Sequence, residues 1–280
     1  MRVIVVGSAL VILALSALAA EAGRAMDDLA VYEDWRTSPQ IRGDRWHGAA
    51  TAAQDTRKEQ HEHRAHLRLR REGSNTSNAG FVGAALALAT TQPLEVTALE
   101  VEARVKNLEI VGCPANPITS NALPAQVSLN KFNDGTPGAG SDATGDHFGR
   151  LQLFRTSAST DPPGALQVQL VIFRCDNSSC SAAHSIPNGL VTLPTPVYVG
   201  DKVRLRLIWD ETNARFVGGL NNGPDVPLAY PATLNQGPSR SPFANIQVLN
   251  SAANCLGQAG VVDSAVEIGV VRTNPLAVIP

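Results

Sequence analysis

"KVRLRLIWDETNARFVGGLNNG", residues 202–223, is the stretch whose reading decides the fold. Taken by twos, Val203, Leu205, Leu207 and Trp209 fall on one side of an extended chain, and Arg204, Arg206 and Ile208 on the other. "DETN" then supplies turn chemistry, and beyond it Phe216 and Leu220 share a face with Gly218 between them. The stretch is two strands around a tight turn, each with one apolar side. Trp209 continues the apolar stripe, so it belongs in the core and is not a sugar-stacking platform. Asp210 is a turn residue with an Asx-type bond. A ligand site near this hairpin is therefore sought on its opposite face, around Arg204 and Arg206, or in the loops.

The same period of two recurs from about residue 64 to the end, in "RAHLRLRR", "FVGAALALA", "VTALEVEARVKN", "QVSLNKF", "HFGRLQLFR", "LQVQLVIFR", "GLVTLP", "ANIQVLN" and "VVDSAVEIGVV". Turn segments such as "STDPPGA", "CDNSSC", "PTPVYVGD" and "NNGPDVP" separate these runs. Short strands at this spacing predict an all-β protein, an antiparallel sandwich or barrel. A weak polar helical period covers residues 48–63. There is no exact repeat and no low-complexity linker, so a single β domain is expected over 23–280, with its core at about 30–273. The net charge of −2 argues against a general nucleic-acid binder, which is usually basic.

The first residues have the form of a secretory signal. Arg2 precedes a nearly all-apolar run from Val3 to Ala19, and "ALAAEA" offers small-residue cleavage sites after Ala19 or Ala22. Residues 1–22 are thus expected to be a signal peptide, with an uncleaved anchor as the alternative. No cysteine lies near the cleavage site, which argues against a lipid anchor, and no second membrane span is expected. The implied location is secreted, periplasmic or cell-surface.

Export makes disulfides plausible. Four cysteines allow three pairings. Cys175 and Cys180 bracket the turn-like "DNSS" after a strand, so a local bridge there is the economical choice and leaves Cys113 with Cys255. Paired CxxC units are missing, which disfavours a structural zinc site.

"YEDWRTSPQIRGDRWHG" followed by "AHLRLRREG" resembles the opening of concanavalin A-like lectin/glucanase (laminin G-like) jelly-roll domains, with Tyr32, Asp34, Trp35, Asp44, Trp46, Leu67 and Leu69 in the pattern. "YVGDKVRLRLIWDETNARFVGGLNNG" is similar to a later hairpin of that fold. "FNDGTPGAGSDATGD", "VIFRCDNSSC" and "NSAANC" resemble segments of secreted bacterial proteins with the same jelly roll. The resemblance covers roughly residues 30–273 and implies an antiparallel β-sandwich. The fold hosts lectins, glycosidases and structural modules, so it leaves function open.

Glycosidases of the resembled fold often carry a strand motif like E-x-D-x-x-E. The nearest stretch is "LEVTALEVEAR", with Glu95, Glu100 and Glu102, and it does not match. Glu100 and Glu102 share a strand face opposite an apolar one, the pattern of a half-buried strand with a solvated side. Asp134, Asp142 and Asp146 in "NDGTPGAGSDATGD" are candidate calcium ligands, although their spacing is not that of an EF-hand and such residues also favour turns. His61, His63 and His66 lie in a charged segment, where His61 and His63 would share a strand face for zinc. No nucleophile elbow and no phosphate-binding loop is present. Asn75 and Asn177 sit in glycan-acceptor tripeptides.

No catalytic residue and no cofactor other than calcium is expected. The expected function is a non-enzymatic module that binds carbohydrate or another cell-surface polymer, with no nucleic-acid partner. The alternatives are a structural or assembly protein of the cell envelope and a glycoside hydrolase of the same fold.

Overall fold

The computed structural model describes residues 29–38, 40–48, 55–61, 63–73, 80–89, 96–113, 118–133, 142–234, 244–258 and 260–275. The expected signal segment 1–22 lies outside them, as do Glu95, Asp134 and Asn75.

Among the described residues sixteen strands, numbered in chain order, form two antiparallel sheets. Sheet A runs β14 (Val226–Ala229), β13 (Arg215–Leu220), β12 (Lys202–Asp210), β6 (Ala98–Val111), β16 (Gly260–Thr273), β4 (Arg64–Gly73) and β3 (Asp55–His61), with β1 (Ala30–Glu33) also on β16. Sheet B runs β10 (Ala183–Thr192), β9 (Ala165–Cys175), β8 (Asp146–Thr156), β7 (Asn121–Asn133), β15 (Ala244–Ala252), β5 (Gly80–Leu88) and β2 (Trp46–His47), with β11 (Val197–Tyr198) also on β9. The chain passes from one sheet to the other at β1–β2, β2–β3, β4–β5, β5–β6, β6–β7, β11–β12, β14–β15 and β15–β16, which gives the expected jelly-roll sandwich.

Alternation decides which side chains meet between the sheets. Val203, Leu205, Leu207 and Trp209 of β12 are buried, as are Leu99, Val101, Ala103 and Val105 of β6. Facing them from sheet B are Val127, Leu129 and Phe132 of β7 with Leu151 and Leu153 of β8. Phe132 is the centre of an aromatic group, stacked on Tyr230 at 4.6 Å, Trp209 at 6.0 Å and Phe216 at 6.1 Å between centroids. Trp209 Nε1 donates to the Tyr230 hydroxyl at 2.9 Å, so the indole is buried with its polar atom satisfied. Gly149 of β8 leaves room for Phe216, whose ring would lie 2.3 Å from a Cβ there. Asp210 accepts bonds from the Asn213 amide at 3.2 Å and from Arg215 Nε at 2.7 Å, so the "DETN" turn is built as the sequence suggests.

The opening segment spans both sheets, β1 pairing with β16 and β2 with β5. Trp35 lies flat on Trp46 at 5.3 Å and donates Nε1 to the Gly269 carbonyl at 2.6 Å. Its φ of 62° is unusual for a bulky residue; the buried Glu33 carboxylate holds that turn by accepting the Trp35 and Asp34 amides at 2.9 and 3.1 Å. Burial of the Tyr32 hydroxyl beside the Ala89 carbonyl pushes its pKa up to about 12.

Three local expectations are corrected. Residues 55–61 form β3, paired to β4, because cross-strand pairing overrides a weak polar period with no apolar face to pack. His63 lies in the β3–β4 turn at φ 60°, so it does not share a strand face with His61. Within "PTPVYVGD", Val197 and Tyr198 add a short strand against β9.

Both expected disulfides are present: Cys113–Cys255, 142 residues apart, and Cys175–Cys180, five apart. The first joins the end of β6 in sheet A to the end of β15 in sheet B. Buried Asn250 ties the layers again, donating Nδ2 to the Leu69 carbonyl at 3.0 Å and accepting from Ser264 Oγ at 2.8 Å. By loop-closure entropy, replacing Cys113 and Cys255 with alanine should cost about 5 kcal/mol, and replacing Cys175 and Cys180 about 2 kcal/mol, measured by urea unfolding. Trp209→Ala should cost about 3–5 kcal/mol in the same assay.

Candidate functional site

With the inner faces apolar, polar chemistry lies on the two outer faces and in the loops. The outer face of sheet A is a lattice of charge, largely paired, in which Arg104 Nε and Arg206 Nε are buried without a hydrogen-bond partner. Glu100 of β6 accepts Arg272 Nη1 at 2.9 Å and lies 3.9 Å from Arg206 Nη1, while Arg206 also bonds Asp225. Glu102 pairs with Lys202 at 2.6 Å, Asp263 with Arg68 at 2.8 Å, and Glu267 with Arg64 at 3.0 Å and Lys106 at 3.3 Å.

This lattice places several of the candidates. Arg206 is held by two carboxylates, and Arg204 bonds Asn222. Glu100 and Glu102 do share a face, but Glu100 is not solvated: it is 6% exposed beneath its two arginines. Period two cannot show this, because the burial comes from long side chains of β12 and β16 folding over β6. Asp142 accepts the Thr144 amide at 2.8 Å, and its bonds to Thr144 hold its carboxyl below the usual range, as in a turn. Asp146 is buried at the start of β8. Among the described residues no three His, Cys, Asp or Glu side chains gather as metal ligands. His66 lies on β4, and Asn177 bonds Ser181 in the exposed turn before Cys180.

The outer face of sheet B is different. Register places Gln247 of β15 beside Gln126 of β7, Gln126 beside Gln152 of β8, and Gln152 beside Gln169 of β9. Four glutamines thus cross four neighbouring strands at one level. Gln152 Nε2 donates to Gln169 Oε1 at 3.0 Å, Gln169 Nε2 to Gln167 Oε1 at 3.1 Å, and Gln167 Nε2 to Asp161 Oδ2 at 3.1 Å. At the other end, Gln152 Oε1 and both amide atoms of Gln126 are buried without a hydrogen-bond partner. The next level holds Asn245, Ser128 and Arg150 side by side, with Asn245 Oδ1 also buried and unpartnered.

Arg150 donates Nε to Ser128 Oγ at 3.3 Å, and its guanidinium carbon lies 4.6 Å from the Phe173 ring centre and 5.3 Å from that of Phe148. Burial lowers its pKa to about 10. The strands of sheet B carry one carboxylate, Asp146, four residues before Arg150 and about 13 Å along the strand.

Reading the sequence for carboxylates and histidines missed these amides. Their signal is nonetheless present: glutamine recurs on the side opposite the inward apolar residues in "AQVSL", "GRLQLF", "LQVQLV" and "NIQVL".

No protein-family model matches the chain, and no curated protein matches it. Solved structures of similar architecture include LamAcat from Zobellia galactanivorans, at 13% identity and a TM-score of 0.48, covering 90% of this chain and 99% of that one. The catalytic domain of an endo-1,3-β-glucanase (laminarinase) from Thermotoga petrophila has 10% identity and a TM-score of 0.47, covering 88% and 97%. A non-specific endo-β-1,3(4)-glucanase of family GH16, SCLam, has 15% identity and a TM-score of 0.46, covering 89% and 92%.

Two predictions concern sheet A. Glu100→Gln leaves two partly buried guanidinium groups short of a partner and should cost about 3 kcal/mol in chemical unfolding. Glu102→Gln, whose partner Lys202 is half exposed, should cost less than about 1 kcal/mol. The Glu267 carboxyl is raised by burial but lowered more by Lys106 and Arg64, which hold it below its ordinary value. Its contribution is therefore full above the unfolded carboxylate pKa of about 4.3 and is lost as pH falls through the folded value. Glu267→Gln should flatten the fall in stability below about pH 4.

Proposed function

We propose that the chain is an extracellular protein that binds polysaccharide, without cleaving it, on the outer face of sheet B. The observation that carries this reading is the glutamine row at one level of β15, β7, β8 and β9. A primary amide both donates and accepts, as a sugar hydroxyl does. Amides repeated at the interstrand spacing of about 4.8 Å suit a ligand that repeats its hydroxyls along a chain. Buried amide atoms without partners, as in Gln126 and Gln152, cost stability unless something completes them. Bound hydroxyls or trapped water would do so.

The non-hydrolytic part rests on chemistry. Glycoside hydrolysis uses two carboxyl groups flanking the scissile bond, about 5–10 Å apart. The outer face of sheet B offers no such pair on its strands, and Arg150, Gln152 and Arg155 stand on β8 at the two-then-three spacing of an E-x-D-x-x-E motif without one carboxylate. Glu100 and Glu102 are committed to ion pairs on the other sheet. The two disulfides and the N-terminal signal pattern support export, and among the described residues no helix is long and apolar enough to cross a membrane.

Electrophoresis through gels containing soluble polysaccharides tests this. The native chain should be retarded by at least one polymer with no release of reducing ends. Gln152→Ala and Gln247→Ala should weaken retardation about tenfold, while Glu102→Gln should not. Failure of every polymer to retard the chain, or release of reducing ends that Glu100→Gln abolishes, would overturn the reading. Gln126→Leu should raise the unfolding free energy by about 1–3 kcal/mol, because it removes a buried unpartnered amide at similar volume.

A further inference from the structure

The distribution of charge over the same face narrows the ligand. We infer that the face selects an acidic polysaccharide, with Arg150 receiving a carboxylate or sulfate of the chain. This rests on the proposed binding reading and adds its charge specificity.

The argument starts from the donors. A guanidinium has five N–H groups in a fixed fork. In Arg150 the Nε–H meets Ser128 Oγ at 3.3 Å, and none of the four N–H groups on Nη1 and Nη2 has an acceptor among the described residues. The guanidinium carbon lies 4.6 Å from the Phe173 and 5.3 Å from the Phe148 ring centre, contacts that favour a cation but accept none of these N–H groups as a carboxylate would. A guanidinium with these N–H groups unused can take a carboxylate or sulfate through two parallel bonds.

Charge balance points the same way. Of the charged side chains named above on sheet A's outer face, all but Arg204, which bonds Asn222, have an opposite charge within about 4 Å. Arg150 sits where burial penalises its charge, with no carboxylate paired to it among the described residues. An isolated desolvated cation is unfavourable and gains from an anion delivered by a ligand. Beside it, Asn245 Oδ1 and the Gln126 amide remain buried and unpartnered, so hydroxyls next to the anionic group have partners waiting. An acidic sugar chain supplies both chemistries in each repeat; a neutral chain supplies only the second.

Titration calorimetry on the full chain distinguishes these cases with two matched pairs. One is a uronate oligosaccharide and its carboxyl-reduced form; the other is a sulfated galactan oligosaccharide and its desulfated form. At least one acidic member should bind ten times or more tighter than its neutral counterpart, and which one identifies the anion. Its affinity should fall as sodium chloride rises. Arg150→Gln should erase the preference while neutral oligosaccharides still bind, and Arg150→Lys should keep part of it, since an ammonium has charge but no fork. Thermal melting checks that both variants fold. Equal affinity for acidic and neutral members, or a preference that survives Arg150→Gln, overturns the charge assignment and leaves polysaccharide binding standing. Absence of binding to all four probes overturns both.

Discussion

A strand shows its side chains to two sides, and in a sandwich of two sheets one side of each strand must be dry. That constraint settles where chemistry can occur. β12, β6, β7 and β8 all give their alternate apolar residues to the shared interior, where Phe132, Trp209, Phe216 and Tyr230 pack as one group. Most of what is polar on those strands is displaced outward, on one sheet or the other, although His147 of β8 packs on Phe132 inside. The two outer faces have then been filled in opposite ways. Sheet A pairs carboxylates with arginines and lysines across β6, β12, β16 and β4, so most of its charges answer one another. Sheet B has amides in a row and a cation without a counter-charge among the described residues.

Those two solutions have different energetic meaning. An ion-pair lattice with its partners in place contributes modestly and asks for nothing further. Buried amide atoms without partners, and an arginine whose charge burial penalises, subtract from stability as the chain stands. Such groups persist when the rest of the fold compensates, and here the compensation is visible. The Cys113–Cys255 bond and the Asn250 contacts tie the sheets together, and the aromatic group fills the space between them. A face that costs stability in the free protein is the face on which a ligand gains most by binding.

The hairpin at residues 202–223 shows how far the sequence alone could go. The inward Trp209, the Asx-type bonds of Asp210 and the shared face of Phe216 and Leu220 follow from period two and turn chemistry, and the structure agrees at each. The cysteine pairing was legible because one pair brackets a turn. What was not legible depends on more than one strand. The burial of Glu100 is made by Arg206 and Arg272, over a hundred residues away in sequence. The glutamine row exists only once the registers of β15, β7, β8 and β9 are set, and a one-residue slip in any of them would send its glutamine to the interior. Residues 55–61 misled because a polar strand with few apolar positions carries little period of its own, so its pairing with β4 decides its conformation.

The contrast between the faces also bears on the chemistry each can offer a ligand. Catalysis by a carboxyl pair needs one group protonated and the other ionised, close together and aimed at a common atom. On sheet A, Glu100 and Glu102 each have a cation within about 4 Å, which turns their oxygens toward protein donors. On sheet B's outer face the row of amides and the Arg150 guanidinium neither give up nor take a proton near neutral pH, even with Arg150 lowered to about 10. They hold hydroxyls and anions in place through fixed hydrogen bonds. A face rich in such groups can choose a ligand by shape and charge.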